Sequence, residues 1–250
     1  MKYFVGIDIG STATKVAILR ENKNEIFMLK SMPSGYNSKD TSLDILKWLN
    51  DLDIDENNSK IIATGYGRIS VPYANKSITE ITAHAKGAVF LGASDEIIID
   101  IGGQDTKVII LENKRMVDFI MNDKCSAGTG KFIEVMANRL GLSIDEFFKV
   151  AKLGTPINIT STCTVFAESE IISLINKNIS RNDLAAGVIV SMANKVLSLA
   201  SKKQSSDKYF LTGGFSQSDF VIKILEEKLN AKVSTHEFSR FAGAIGAALS

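Results

Sequence analysis

The sequence predicts an α/β protein made of two similar halves. Three observations support this class. One strand–turn–strand unit occurs twice, helix-like and strand-like segments alternate along the chain, and 45% of the 250 residues are hydrophobic, which is enough to build real cores. Because each copy of the unit belongs to a different half, we expect two matching halves that face one another.

The duplicated unit can be read from two stretches of sequence. YFVGIDIGSTATKVAIL covers Tyr3 to Leu19, and EIIIDIGGQDTKVIIL covers Glu96 to Leu111. Both contain a strand that ends in Asp-Ile-Gly, a small polar turn, and Thr-Lys-Val at the start of a second strand. Residues 8–15 and 100–107 are therefore predicted to form two matching β-hairpins, whose glycines permit close approach of a ligand to the backbone.

Further elements follow from hydrophobic periodicity and from the positions of glycine and polar residues. Strands are predicted at residues 25–30, 60–65, 115–121, 208–214 and within AKVST. Helices are predicted at residues 39–50, 78–91, 180–203, 217–229, from near Gly128, Ser143 and Phe166, and in the last segment, SRFAGAIGAALS.

Composition argues against several functional classes. The formal net charge is +1, and the Lys and Arg residues are scattered, so neither a nucleic-acid footprint nor a polybasic membrane patch is visible. The first apolar run is broken by Asp8, and about 18 uninterrupted apolar residues occur nowhere, so we expect no membrane span and a cytoplasmic location.

The stretch NDKCSAGTGKF, residues 122–132, contains a GTGK fragment that suggests a phosphate-binding P-loop. A P-loop requires Gly, four residues, and then Gly-Lys-Ser/Thr. Here Cys125 stands at the first glycine position, and Phe132 replaces the hydroxyl residue. We therefore predict that nucleotide phosphates bind elsewhere.

The sequence contains two cysteines, Cys125 and Cys163. In a cytosolic chain of this size they argue against a disulfide framework and leave buried thiols or cysteine chemistry as alternatives. Four thiolates are the usual complement of a 4Fe-4S cluster, and two chains related by a two-fold axis would supply four. Each cysteine also precedes a predicted helix, whose N-terminus favours a thiolate.

The order of three motifs is similar to that in the actin, Hsp70 and sugar-kinase superfamily, which has a ribonuclease H-like fold. The motifs are the two Asp-Ile-Gly hairpins, LTGGFSQ at residues 211–217, and GAIGAA near the end. In that superfamily the hairpins are the phosphate 1 and phosphate 2 motifs, and the Gly-Gly turn is the adenosine motif. The resemblance implies an actin-like ATPase fold with two halves around a nucleotide cleft, at residues 1–92 plus about 239–250 and at residues 93–238.

The same resemblance implies a set of nucleotide-binding residues. Backbone amides in the two turns would bind phosphate oxygens, and Asp8 and Asp100 would hold hydrated Mg²⁺. Gln104 and Asp105 are the candidate catalytic residues, with Gln104 orienting a water on the γ-phosphate. The predicted ATP contacts are Gly10, Ser11, Thr12, Ala13, Lys15, Gly102, Gly103, Gln104, Asp105, Gly213, Gly214, Phe215 and Gln217.

Two lysines in the hairpins have an open role at this point. Lys15 and Lys107 stand at equivalent places in the two copies. Each is expected either to touch phosphate or to be a solvated strand end.

Five further motifs resemble a narrower family, the activators of 2-hydroxyacyl-CoA dehydratases with the related ATPase subunits of benzoyl-CoA reductase (BadF/BadG/BcrA/BcrD). The motifs are KCSAGTGKFIE, TCTVFAESEI, ATGYGR, TEITAHAKGA and DIGGQDTK. The resemblance implies an anaerobic homodimer that uses ATP and Mg²⁺ and holds one 4Fe-4S cluster through Cys125 and Cys163 of each subunit. It further implies a dehydratase component as electron acceptor and reduced ferredoxin or flavodoxin as donor.

Two other functions compete with this one. A small-molecule kinase of the same fold would need a carboxylate base, for which Glu80 is a candidate, but Glu80 is expected to cap the helix that it begins. A chain of 250 residues also leaves little room for substrate-binding insertions. The other alternative is a regulatory ATP-binding switch with buried cysteines. His84 is predicted to be a core histidine, and His236 a surface residue.

Overall fold

The structure is a computed structural model in which residues 2–160 and 163–250 are described. Two compact units are distinguished by their internal contacts. Unit 1 comprises the chain up to Ile98, Ile109–Phe119 and His236–Ser250, and unit 2 comprises Ile99–Val108 and Ile120–Thr235. The boundaries of the two halves given by the sequence stay a prediction.

The first sheet has five strands in the order β3-β2-β1-β4-β5. Strands β1, β2 and β3 are antiparallel neighbours, whereas β4 runs parallel to both β1 and β5. Buried side chains of this sheet, among them Val5, Ile7 and Val16, form a core with Ile45 and Leu49 of helix α1. The strands are β1 (Tyr3–Ile9), β2 (Ala13–Arg20), β3 (Ile26–Pro33), β4 (Ser59–Thr64) and β5 (Lys76–Ser77).

Three helices accompany the first sheet: α1 (Ser38–Asn50), α2 (Glu80–Phe90) and α8 (Ala242–Ala248). Helix α8 consists of glycine, alanine and one isoleucine, all buried. Because its side chains are small, α8 packs closely against α2 and β1. The last helix is thereby part of the same unit as the first hairpin.

The second sheet has five strands in the order β10-β9-β6-β7-β8. The strands are β6 (Ile97–Ile101), β7 (Thr106–Glu112), β8 (Arg115–Asn122), β9 (Lys208–Gly213) and β10 (Lys232–Ser234). The helices between β8 and β10 in the chain are α3 (Gly130–Arg139), α4 (Ile144–Ala151), α5 (Thr164–Asn176), α6 (Arg181–Ala200) and α7 (Asp219–Leu229).

Helix α6 is the central helix of unit 2. By length and apolar composition it could cross a membrane, yet 61% of its most apolar window is buried inside the protein. It packs against α3, α4 and α7. These contacts are those of a core helix, because the apolar side chains are covered by neighbouring helices.

The two sheets have the same topology. Read from its other edge, the second sheet is β8-β7-β6-β9-β10, so that β6 to β10 correspond one by one to β1 to β5. The prediction of two similar halves is confirmed by this match. The copies differ most between the third and fourth strands, where residues 34–58 contain α1 in the first copy and residues 123–207 contain α3 to α6 in the second. Both cysteines lie in this longer connection.

The kinds of element predicted from periodicity are confirmed, with shifts at their ends. Helix α3 begins at Gly130 rather than near Gly128, and the final segment starts with a 3-10 turn, Ser239–Phe241, before α8. The two-residue strand β5 was not predicted, because so short a segment carries no periodicity.

Candidate functional site

The first hairpin joins β1 to β2 through residues 10–12. Asp8 lies opposite Lys15 in the strand register and is 5% exposed. Lys15 is half-buried, and its Nζ donates to the carbonyl oxygen of Ala13 at 3.2 Å. Thus a main-chain oxygen of the turn binds this lysine.

Ser34, which follows β3, binds the back of the first turn. Its hydroxyl donates to the carbonyl oxygen of Gly10 at 2.6 Å, and its amide donates to that of Thr12 at 3.1 Å. The hydroxyl of Thr14 lies 2.9 Å from the Ser34 hydroxyl. Ser11 and Thr12 remain exposed, so this part of the turn is accessible to a ligand.

The second hairpin joins β6 to β7 through an equivalent turn, in which the amide of Gly102 donates to the carbonyl oxygen of Asp105 at 2.9 Å. A Cβ on Gly102 would lie 2.4 Å from Asp105 Oδ1, so glycine is required for the carboxylate to fold back over the turn. Gln104 is exposed at the tip, which leaves its side chain accessible to a ligand.

Lys107 is fully buried at the base of the second turn, with 0% exposure. Its Nζ lies 3.2 Å from Asp100 Oδ2 and 2.8 Å from Asp105 Oδ1. Asp100, 1% exposed, also accepts a hydrogen bond from Thr212 Oγ1 at 2.8 Å. A buried cation between carboxylates offsets the desolvation of those charges. The expectation of a solvated strand end is therefore wrong for Lys107.

The Gly-Gly turn begins at the end of β9. Gly213 has φ +92°, and a Cβ there would lie 2.2 Å from the carbonyl oxygen of Ile101. Gly214 donates its amide to the same oxygen at 3.2 Å and is itself exposed with open space around its Cα. Phe215 packs edge-on to Phe148 with ring centroids 5.2 Å apart, and Gln217 is exposed. The turn thus offers an exposed backbone surface next to the second hairpin.

The first copy contains a counterpart of this turn in ATGYGR. Gly65 has φ +84°, and a Cβ there would lie 2.6 Å from the carbonyl oxygen of Ile9. Gly67 donates its amide to that oxygen at 2.9 Å, as Gly214 does to Ile101. The repeat of the hairpin could be seen in the sequence, but the repeat of the glycine turn could not, because the segments at Gly65 and Gly213 share only Thr-Gly.

Glu80 and His84 lie in α2, on the same unit as Asp8. The cap of α2 is Thr79, whose hydroxyl accepts from the amide of Thr82, so the expectation that Glu80 caps the helix is wrong. His84 is 5% exposed, and its Nε2 lies 3.8 Å from Glu80 Oε1. His84 is thus a buried core histidine, as predicted, and the structure adds a carboxylate beside it.

Cys125 is exposed and precedes α3 by several residues. The amide side chain of Asn122 donates to the carbonyl oxygen of Cys125 at 2.7 Å. The first amides of α3, those of Gly130 and Lys131, donate to the carbonyl oxygens of Gly102 and Gly103 at 2.9 and 2.7 Å. These two amides therefore bind the second hairpin turn and not the thiol, which corrects the expectation drawn from the helix N-terminus.

Cys163 is partly buried and is the N-cap residue of α5, so the prediction that it directly precedes a helix is confirmed. The residues that follow the two cysteines are joined, since the hydroxyls of Ser126 and Thr164 lie 2.8 Å apart. The structure thereby brings together the two cysteine-bearing segments, which lie far apart in the sequence.

The second copy of the hairpin thus carries chemistry that sequence reasoning did not assign. Lys107 had an open role, and Thr106, Thr212 and Ser126 were not considered. The signal for Lys107 was present, because a lysine inside the apolar run of β7 requires a buried counter-charge.

These features define a class of protein. Duplicated sheets, each with a hairpin turn and a positive-φ glycine turn, form the actin-like ATPase fold. The same fold occurs in a glucokinase of the ROK family from Streptomyces griseus, with a TM-score of 0.63 at 15% identity over 98% of each chain. At that identity the likeness concerns the fold alone.

The chain belongs to the BadF/BadG/BcrA/BcrD ATPase family, whose model matches residues 5–250. It is 41% identical over 250 residues to the (R)-2-hydroxyglutaryl-CoA dehydratase activating ATPase of Acidaminococcus fermentans, with 99% of this chain and 96% of the relative covered. The crystal structure of component A of that dehydratase has a TM-score of 0.93 at 39% identity, over 100% of this chain and 97% of the other.

A second solved structure is similar to the chain. It is the activator of the 2-hydroxyisocaproyl-CoA dehydratase from Clostridium difficile with bound ADPNP. Its TM-score is 0.91 at 36% identity, and the match covers 99% of this chain and 93% of that one. The whole chain therefore corresponds to proteins of this family.

Proposed function

We propose that this protein is an ATP-dependent activator that delivers single electrons to a 2-hydroxyacyl-CoA dehydratase. The observation that carries the proposal is the attachment of the cysteine-bearing segments to the second hairpin: Gly130 and Lys131 bind its turn, and Ser126 binds the helix that Cys163 caps. The names of the related activators support the same function.

ATP is proposed to bind at the hairpin turns and the Gly-Gly turn. In the first turn the amides of residues 10–13 would bind phosphate, with Lys15 nearby. In the second turn the amides of residues 103–105 would do so, since that of Gly102 binds the carbonyl oxygen of Asp105, and Gln104 would orient the attacking water. Residues 213–215 and Gln217 would contact the nucleoside. The exposure of Ser11, Thr12, Gln104 and Gly214 supports these roles, because a ligand can reach them.

Mg²⁺ would be held through water near the carboxylates of the hairpins, where it would neutralise phosphate charge. Asp100 already binds Lys107 and Thr212, so a water-mediated role suits it better than direct coordination. Asp105 has a side chain that is 23% exposed, and it can face a hydrated ion. Asp8 completes the proposed set.

The cysteines fit half of a 4Fe-4S site. Cys125 is exposed, Cys163 is partly exposed, and the residues after them are hydrogen-bonded to one another. Two thiolates per chain require a homodimer to reach the usual four. When bound, such a cluster would hold and release one electron. The chain's own contribution is to hold the two cysteine-bearing segments together and to connect them to the hairpin.

The proposed electron donor is reduced ferredoxin or flavodoxin, and the acceptor is the dehydratase component. We propose that this electron transfer takes place in the cytoplasm. In this proposal ATP is an energy source and no phosphorylated product forms.

Anaerobic purification followed by iron and sulfide analysis tests the proposal. We expect a brown protein with about four irons per dimer. Cys125→Ser and Cys163→Ser should each abolish the cluster absorbance while nucleotide affinity, measured by calorimetry, is retained. Colourless, iron-free protein after reconstitution under strict anoxia would refute the activator function.

A product analysis separates the activator from a kinase of the same fold. The protein is incubated with ATP and with sugars or carboxylic acids, and the products are examined by mass spectrometry. We expect ADP and inorganic phosphate only. A phosphorylated small molecule would favour the kinase.

A further inference from the structure

The N-terminus of α3 is capped by the second hairpin turn. A helix leaves its first amides without partners in the helix, and a side chain usually accepts from them. The N-cap residue here, Thr129, makes no such bond with its side chain. Instead, Gly130 and Lys131 donate to the carbonyl oxygens of Gly102 and Gly103 at 2.9 and 2.7 Å. A shift of this turn must therefore move α3 or break these bonds.

Thr106 adds a third connection, directly after the turn. It is 2% exposed, and its hydroxyl donates to the carbonyl oxygen of Gly128 at 2.7 Å. Gly128 belongs to residues 125–131, which we call the cysteine segment.

The cysteine segment and the far end of α3 are each connected to α5. Near the cysteines, the Ser126 and Thr164 hydroxyls lie 2.8 Å apart. At the other end of α3, Arg139 donates to the Glu168 carboxylate, with Nε at 3.0 Å from Oε1. Because α3 and α5 are joined at both places, they are expected to move as one body.

We propose that Thr106 is a positioning residue that couples the state of the nucleotide to the cysteines. Its hydroxyl and the amides of Gly130 and Lys131 fix the position of the cysteine segment relative to the turn at residues 102–105. When the contacts between this turn and the nucleotide change on hydrolysis, that position changes, and α5 with Cys163 moves with the cysteine segment. The inference rests on the proposed function, since it supposes that ATP binds at this turn.

The directionality of hydrogen bonds supports this coupling. Hydrogen bonds prefer angles above about 150° and weaken steeply below about 120°, so a rotation of the turn that bends the bonds from Gly130 and Lys131 weakens them unless α3 moves with the turn. ATP and ADP can shift the cysteine segment only to the extent that the turn binds them differently. The γ-phosphate supplies that difference.

Hydrogen–deuterium exchange of the amides of Gly130 and Lys131 tests the proposal, because these amides make the bonds in question. The protein is compared with ADP and with ADPNP, a non-hydrolysable ATP analogue. We expect exchange in residues 128–131 to differ between the two nucleotides. Thr106→Val should raise this exchange by about fivefold and remove its dependence on the nucleotide.

Two further variants make the test specific. Thr106→Ser keeps a hydroxyl and should restore the nucleotide dependence. Thr14→Val removes the matching buried hydroxyl of the first hairpin, which binds Ser34 and not the cysteine segment, so the dependence should persist. Exchange in residues 128–131 that is the same with ADP and ADPNP, or a nucleotide dependence that survives in Thr106→Val, would overturn the proposal.

The exchange measurement is independent of iron and of the dehydratase. Iron-free protein that binds both nucleotides and shows the expected exchange would support the coupling even if the activator function failed. Conversely, a protein that holds iron and activates a dehydratase, but shows no nucleotide dependence in residues 128–131, would retain the function and lose the role of Thr106.

Discussion

The two hairpins of this protein have the same backbone and different chemistry. In the first, Lys15 binds the carbonyl oxygen of Ala13. In the second, the equivalent Lys107 is fully buried between Asp100 and Asp105. The difference follows from one position, because alanine at 13 offers only its main-chain oxygen, whereas aspartate at 105 adds a carboxylate. Position 13 of the first hairpin is therefore uncharged, whereas the equivalent position 105 of the second hairpin carries a carboxylate.

The segments that bind the two turns also differ. Ser34 binds the carbonyl oxygens of Gly10 and Thr12 immediately after β3. In the second turn the oxygen of Gly102, which corresponds to Gly10, and that of the next residue, Gly103, bind the start of α3 and so the cysteine segment. Of the two copies of the hairpin, the second is the one that is hydrogen-bonded to the cysteine segment.

The largest expected effect is on the buried lysine. Lys107→Met should lower the free energy of unfolding by about 3–5 kcal/mol, because Asp100 and Asp105 then face each other without the ammonium group. Lys15→Met, the same change in the first hairpin, should cost less than about 1 kcal/mol. Urea unfolding followed by circular dichroism measures both. Equal losses would show that the two lysines are energetically equivalent.

Replacing the positive-φ glycine should destabilise the protein by a similar amount in both copies of the glycine turn. Gly213→Ala and Gly65→Ala should each lower the free energy of unfolding by about 2–4 kcal/mol, since both have positive φ and approach a carbonyl oxygen. Gly214→Ala is the control, because a Cβ there meets nothing within 4 Å, and it should change stability by no more than about 0.5 kcal/mol. A tolerated Gly65→Ala would break the correspondence between the turns.

Substitutions at the tips of the two hairpin turns should have different effects on ATP hydrolysis. Gln104→Ala should lower the rate of ATP hydrolysis by about 100-fold with little change in nucleotide affinity, because a misplaced water reacts slowly. Thr12→Ala alters the equivalent position of the first turn and should affect affinity more than turnover. Steady-state phosphate release and calorimetry separate the two effects. An unchanged rate in Gln104→Ala would assign water positioning to another residue.

The smallest effect concerns the long connection that only the second copy has. The pKa of Glu146 is lowered from its ordinary 4.5, chiefly because the Ser143 side chain hydrogen-bonds it, and that of Asp183 from 3.8 by the Ser180 side chain. A lowered pKa stabilises the folded state above the unfolded pKa, and the contribution is lost as pH falls through the folded value.

Glu146→Gln with Asp183→Asn should therefore be slightly less stable than the natural sequence near pH 7. The difference should shrink as the pH falls below about 4, and urea unfolding at several pH values checks this. A difference that stays constant with pH would mean that these carboxylates stabilise the connection by packing and not by charge.

Much of the fold was accessible from the sequence. The Asp-Ile-Gly repeat predicted the two hairpins, and apolar periodicity predicted α1, α2 and α6 to within a few residues. The order β8-β7-β6-β9-β10 was not accessible, because strand pairing between distant segments leaves no local signal. For the same reason the role of Thr212, which donates to Asp100 from the neighbouring strand β9, was missed.

The duplicated hairpins, the candidate ligands Cys125 and Cys163, and the family could all be inferred from the sequence, because each depends on residues that are close together along the chain. The buried position of Lys107 and the bonds of Gly130 and Lys131 to the second turn could be seen only in the folded protein. A buried charge and an uncapped helix amide each require a partner, and the fold determines which distant residue lies within hydrogen-bond distance.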